Sequence, residues 1–158
     1  MENLISGTVG GLHLITAILA MIAGTAVLVL PKGTKLHKRM GYAYVASMTP
    51  MLVTAFMLYN LFGYFGVFHI AAIVSSITLL GGMVPVFTKR PKNDWIAYHF
   101  AFMYWSVLGL YAAFFSEVFT RIPETPFFGM VGIATALTFG IGGFVFKKRK
   151  QQWFEQFA

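Results

Sequence analysis

Long apolar blocks alternate along this chain with short polar segments rich in Lys and Arg. A helix needs about 20 mostly apolar residues to cross a bilayer. Five blocks read as spans: about Leu4 to Leu30, Lys35 to Tyr59, Val67 to Phe87, Trp95 to Phe119 and Phe127 to Phe146. Thr34 is placed to cap the second helix after Pro31 and Gly33, and Asn93 or Asp94 to cap the fourth after Pro91. Thr125 followed by Pro126 reads as N-cap then first helical residue of the fifth. Pro50 is expected to kink the second helix, and Pro85 to bend or end the third. The pattern predicts an all-α integral membrane bundle of five transmembrane helices. It forms a single domain over residues 1–158, with a tail over 147–158 whose Trp153, Phe154 and Phe157 lie at the membrane interface.

Composition agrees. The 158 residues are 58% hydrophobic and 11% charged, with a mean hydropathy of +0.72, whereas soluble domains carry about 25% charged residues. The net charge of +7 would suggest nucleic acid in a soluble chain. Here the basic residues are punctuation between spans, so no nucleic-acid partner is expected; the first partner is the lipid bilayer. Lys32, Lys35, Lys38 and Arg39, then Lys89, Arg90 and Lys92, then Lys147, Lys148, Arg149 and Lys150 all fall on one side if the spans alternate. Only Arg121 is opposite. The positive-inside rule then puts the N-terminus outside and the C-terminus in the cytoplasm. The expected location is a cell membrane, the inner membrane in a bacterium. Met1-Glu2-Asn3 gives no basic n-region, so the first span is expected to be retained. With no cysteine, disulfides, thiolate chemistry and iron–sulfur clusters are excluded.

The chemistry-bearing residues are four histidines, one on each of the first four spans: His13, His37, His69 and His99. At the helical rise, His13 and His69 lie about 25–27 Å from the basic ends of their spans. His37 and His99 lie within about a turn or so of theirs. This makes an outer pair from spans one and three, and an inner pair from spans two and four. Two imidazoles per layer are what six-coordinate haem b requires. The expectation is two haems, with His13 and His69 on one and His37 and His99 on the other. Lys35, Lys38 and Arg39 are placed to pair with propionates. Small residues beside the histidines would leave room for a porphyrin: Ser6, Gly10, Ala17, Ala20 and Gly24 in span one, and Gly41 in span two. Span two continues this face through Tyr44, Met48 and Met51, and span four through Met103, Ser106 and Ala113. The same stripes equally suit plain helix packing. Such a carrier would take electrons from a quinol or a protein partner, acting as a transmembrane oxidoreductase if it turns over a substrate. A homo-oligomer is compatible with the pattern.

Two alternatives compete. In the first, His13, His69 and Glu117 form the path of a small transporter or metal-handling protein, since two imidazoles and a carboxylate suit zinc. Arg121 stands four residues after Glu117, so an interfacial ion pair is the simpler reading of that carboxylate. In the second, the chain is an assembly or packing subunit with no site of its own, docking through the glycine-rich fifth span.

The histidine layout resembles that of transmembrane di-haem b-type cytochromes, in which ligand pairs come from helix i and helix i+2. A second resemblance rests on two stretches. One is Pro31-Lys-Gly-Thr-Lys-Leu-His37-Lys-Arg-Met-Gly41-Tyr-Ala-Tyr. The other runs from Trp95-Ile-Ala-Tyr-His99 through Met103, Ser106 and Gly109 to Glu117, Arg121 and Pro123. Phe68-His69, Ser75, Thr78 and Gly81-Gly82 add to them less specifically. Together they resemble a family of small bacterial membrane proteins of unknown function. That resemblance implies a multi-span protein with His37 and His99 inside its signature stretches.

Overall fold

In the computed structural model the described residues are 7–59, 63–122 and 125–156. Ser6, Phe62, Pro123 and Phe157 lie outside them, as do the expected start at Leu4 and the chain ends. Five helices follow in order: α1 Gly7–Val29, α2 Lys35–Ala55, α3 Val67–Thr88, α4 Trp95–Phe119 and α5 Phe127–Glu155. Four are long and apolar enough to cross a membrane; α2 is the exception. Its first turns carry Lys35, His37, Lys38 and Arg39, and the apolar remainder, Met40–Ala55, reaches only about 24 Å. The hydrocarbon core is about 30 Å thick.

Thr34 caps α2 as expected, its side chain accepting from the His37 N–H at 3.2 Å. Gly33 holds the preceding turn at φ +75°, where a Cβ would clash. Asp94 stands at the N-cap of α4 without a side-chain cap bond. The start of α5 differs by one residue. Pro126 is the N-cap, and the Thr125 hydroxyl turns back to the Ile122 carbonyl at 2.8 Å. Neither internal proline ends its helix, for α2 continues from Pro50 to Ala55 and α3 from Pro85 to Thr88.

The helices sort into two compact units, Met1–Leu80 and Gly81–Ala158. In the first, α1 packs on α2. The buried face of α1 includes Gly10, Ala20, Ala23 and Gly24, and that of α2 includes Tyr44, Met48 and Met51. Small residues on one helix thus accommodate large ones on the other, the usual solution where lipid removes a hydrophobic drive between helices. Most of the α1 stripe is occupied by this packing rather than held open for a flat ligand. The α1 C-terminus is closed by Lys32, whose buried Nζ donates to the carbonyls of Val27 at 2.7 Å and Leu28 at 2.8 Å. A cation at a helix C-terminus also meets the negative end of the helix dipole.

In the second unit α4 packs on α5. The Tyr104 hydroxyl donates to the Gly142 carbonyl at 2.7 Å. The contact is close because a Cβ at Gly142 would overlap the Leu108 side chain. Trp105, mid-span in α4, packs on Phe139 and Phe146, with centroids 5.7 and 5.8 Å away. The helix α5 continues through the tail to Glu155. Nothing after Phe146 breaks a helix, and Lys, Arg and Gln favour one. Trp153 and Phe154 then close on Phe100, at 5.4 and 5.1 Å.

Gly142→Val should lower the thermal stability of the purified protein by about 1–3 kcal/mol through overpacking against Leu108. Gly132→Ala, where an added Cβ meets nothing, should stay within about 0.5 kcal/mol of the parent; equal effects would contradict the assignment of the close contact. Burial also pushes the Lys32 ammonium down to about 8 from its usual 10.5. Its protonation is therefore penalised in the fold. The penalty is full below pH 8 and fades as pH rises towards 10.5. The melting temperature relative to Lys32→Met should climb across that window, and a flat difference would contradict the burial.

Candidate functional site

A neutral imidazole carries one proton, so the partner of one nitrogen dictates what the other can do. His13 is half-buried in α1, and its Nδ1 lies 3.1 Å from the Met51 carbonyl and 3.1 Å from Thr54 Oγ1, both on α2. A carbonyl only accepts. The Thr54 hydroxyl has its own acceptors in Pro50 O at 2.8 Å and Met51 O at 2.9 Å, leaving its oxygen to accept from the ring. His13 therefore donates from Nδ1, and Nε2 carries the ring's lone pair. His99 repeats the arrangement in the other unit, donating from Nδ1 to the Gly82 carbonyl at 2.8 Å. Gly82 lies in α3 just before Pro85, which has no N–H to offer the Gly81 carbonyl. A Cβ at Gly82 would sit 2.6 Å from Met103 Sδ, so the missing side chain is what lets α4 approach there. An Nδ1–H held by a backbone carbonyl with Nε2 presented is how metal-ligating histidines are ordinarily oriented.

His69 is the opposite case. It stands three residues after Gly66, which immediately precedes α3 and receives the Ile70 N–H on its carbonyl. The Gly66 N–H donates to His69 Nδ1 at 3.1 Å. This is the backward half of a capping box, with imidazole in the place usually taken by Glu or Gln. An N–H can only donate, so Nδ1 must be the acceptor and the proton must sit on Nε2. That nitrogen is buried and has no hydrogen-bond partner among the described residues. A buried donor left unmade costs about 1–3 kcal/mol. His69 is 4% exposed, with the rings of Tyr59 at 4.6 Å and Phe65 at 4.8 Å from its own.

The four histidines thus divide by chemistry. His13 and His99 have the tautomer an iron ligand needs. His69 has the donor tautomer and would have to abandon Gly66 to bind iron through Nε2, so it does not fit the haem expected between it and His13. His37 is half-buried at the third position of α2, and one turn later an added Cβ at Gly41 would meet nothing. Lys35, Lys38 and Arg39 are exposed around it.

Glu117 closes on Arg121 at 2.6 Å, with both side chains more than two-fifths exposed. This is the i,i+4 anchoring pair, worth little in stability. Among the described residues no three of His, Asp and Glu gather as a metal-binding group. A cavity of about 400 Å³ opens between α4 and α5, lined almost wholly by apolar surface, including Leu108, Phe115, Leu137 and Ile141. None of the histidines lines it.

The capping role of His69 had a signal in the sequence, because Gly66 and His69 stand at N-cap and N3 spacing before an apolar run. The carbonyl partners of His13 and His99 had none, since they lie on other helices 38 and 17 residues away.

No curated protein and no solved structure matches the chain. Residues 10–150 match the family model described as "Predicted membrane protein (DUF2306)", and the chain belongs to that family of membrane proteins.

Proposed function

We propose that this multi-pass membrane protein is a b-type cytochrome that binds haem through His99 and passes electrons from a lipid-soluble donor towards the cytoplasmic face. In this reading all five helices span, α2 with its charged first turns in the headgroup layer, the N-terminus is outside, and the membrane is the inner one in a bacterial cell. The observation that carries it is the anchoring of His99. Its Nδ1–H bond to the Gly82 carbonyl fixes the ring plane and makes Nε2 the more basic, ligand-ready nitrogen. The bond lies within an apolar span, where ionisable residues ordinarily mark function. Haem b, when bound, would supply a one-electron iron couple whose potential the axial ligands set. His37, which the sequence puts at the same depth in the first turn of α2, is the histidine expected as second ligand. Lys35, Lys38 and Arg39 would balance propionate charge at the surface. Gly41 would keep one turn of α2 clear of side chain. The one-sided distribution of the basic residues supports the orientation.

Absorption spectra of the detergent-purified protein, oxidised and then dithionite-reduced, should show a six-coordinate b-type haem at about one per chain. His99→Ala should remove it. His69→Glu, which can keep the Gly66 cap through its carboxylate, should leave it. A colourless protein, or undiminished haem in His99→Ala, contradicts the proposal. A ratio near two that falls by half in His69→Glu would contradict the single haem and return a second to His13 and His69.

A further inference from the structure

The buried Nε2–H of His69 is a donor without an acceptor among the described residues. From its surroundings we infer that the N-terminal turn of α3 is a quinone site, in which His69 Nε2–H donates to a ring carbonyl of a lipid-soluble quinone. The inference rests on the electron-carrier reading for its physiological sense, though not for its geometry.

Four features select the ligand. The donor is fixed, because Nδ1 is engaged by the Gly66 N–H and the ring cannot offer a lone pair at Nε2 without breaking the cap. The ligand therefore brings an acceptor, and a metal ion is excluded. The ligand is neutral, since no charged side chain occurs between Met40 and Thr88 and a lone neutral N–H is a poor counter-partner for an anion. A lone water is poorly held as well, because buried waters ordinarily make two to four hydrogen bonds. The ligand is flat, because the imidazole already lies against the aromatic rings of Tyr59 and Phe65, tilted from it by 35° and 29°. Those two rings are 44% and 50% exposed, so what covers the imidazole is itself at the surface and free to yield to another planar ring. Lastly, the site sits at the end of an apolar helix able to span the membrane, so the ligand reaches it from lipid. A neutral, planar, lipid-soluble molecule with carbonyl acceptors is a quinone. The ester carbonyl of a phospholipid offers the same acceptor without the ring, and the experiment separates the two.

The test is titration of the full-length protein in detergent with ubiquinone-1, read by quenching of intrinsic fluorescence, in parallel with phosphatidylcholine read by thermal shift. Wild type should show saturable quenching. His69→Glu should keep helix content and melting temperature through the restored capping box, and should weaken quinone binding about tenfold or more. His69→Gln, which can both accept from Gly66 and donate onward, should retain binding within about threefold. Phe65→Leu, which leaves the cap untouched, should weaken binding about three- to tenfold, and it keeps the test decisive if His69→Glu does not fold. Identical quenching in wild type, His69→Glu and Phe65→Leu would overturn the site as mere partitioning. Stabilisation by phosphatidylcholine alone, without saturable quenching by ubiquinone-1, would assign the donor to a lipid ester and also overturn it. The readout needs no haem. A colourless protein that binds quinone through His69 contradicts only the cytochrome reading, and a haem protein without saturable quinone binding contradicts only this one.

Discussion

A neutral imidazole has a single proton to place, and inside an apolar bundle the backbone decides where it goes. A carbonyl opposite Nδ1 takes the proton and leaves a lone pair on Nε2. An amide N–H opposite Nδ1 does the reverse. His13 and His99 face carbonyls of neighbouring helices, and His69 faces the N–H of Gly66. Residues identical in sequence are thereby made chemically different, two of them suited to a metal ion and one to an acceptor oxygen. In water such preferences are weak because solvent satisfies whichever nitrogen is left over. Within lipid there is no such solvent, and each unsatisfied polar group is costly.

The rest of the fold holds those partners in register. Small residues on α1 bring it close enough to α2 for His13 to reach Met51 and Thr54. Gly82 lets α4 approach the α3 segment whose carbonyl holds His99. In both places the small residue acts through its neighbour, by permitting an approach rather than by touching a ligand. Gly142 does the same for α5, where its carbonyl receives Tyr104. Glycine and alanine stripes in such a bundle are therefore part of how the polar side chains are positioned, even where they do not line a site. Lys32 shows a related economy, with a single side chain closing the last carbonyls of α1 at the turn into α2.

Much of this architecture was legible because its signals are local. Thr34 as a cap, Pro91 before α4 and Pro126 at the head of α5 fix helix starts to within a residue. Apolar block length identifies four helices able to span. The second block was less legible, because its first turns are charged and its helix stops at Ala55. The tail after Phe146 reads as an interfacial segment from its aromatic residues, and its helical continuation was not legible from them. Phe100 and Tyr104 also offer Trp153 a protein surface, and that contact is distant in sequence. The grouping of the histidines by depth came from helix rise alone. Their division by tautomer was out of reach, since it rests on Met51 and Gly82 meeting the rings across helix interfaces. The cap at His69 is the exception, readable from the Gly66–His69 spacing.

The most direct test of this division is nitrogen-15 NMR of the haem-free protein labelled at histidine, in which two-bond correlations to the ring protons identify the protonated nitrogen of each residue. With assignments from single-histidine variants, His69 should be protonated at Nε2, and His13 and His99 at Nδ1. A proton on Nδ1 of His69, or on Nε2 of His99, would contradict the account at its root, since the ligand-forming and donor-forming histidines would then have exchanged roles.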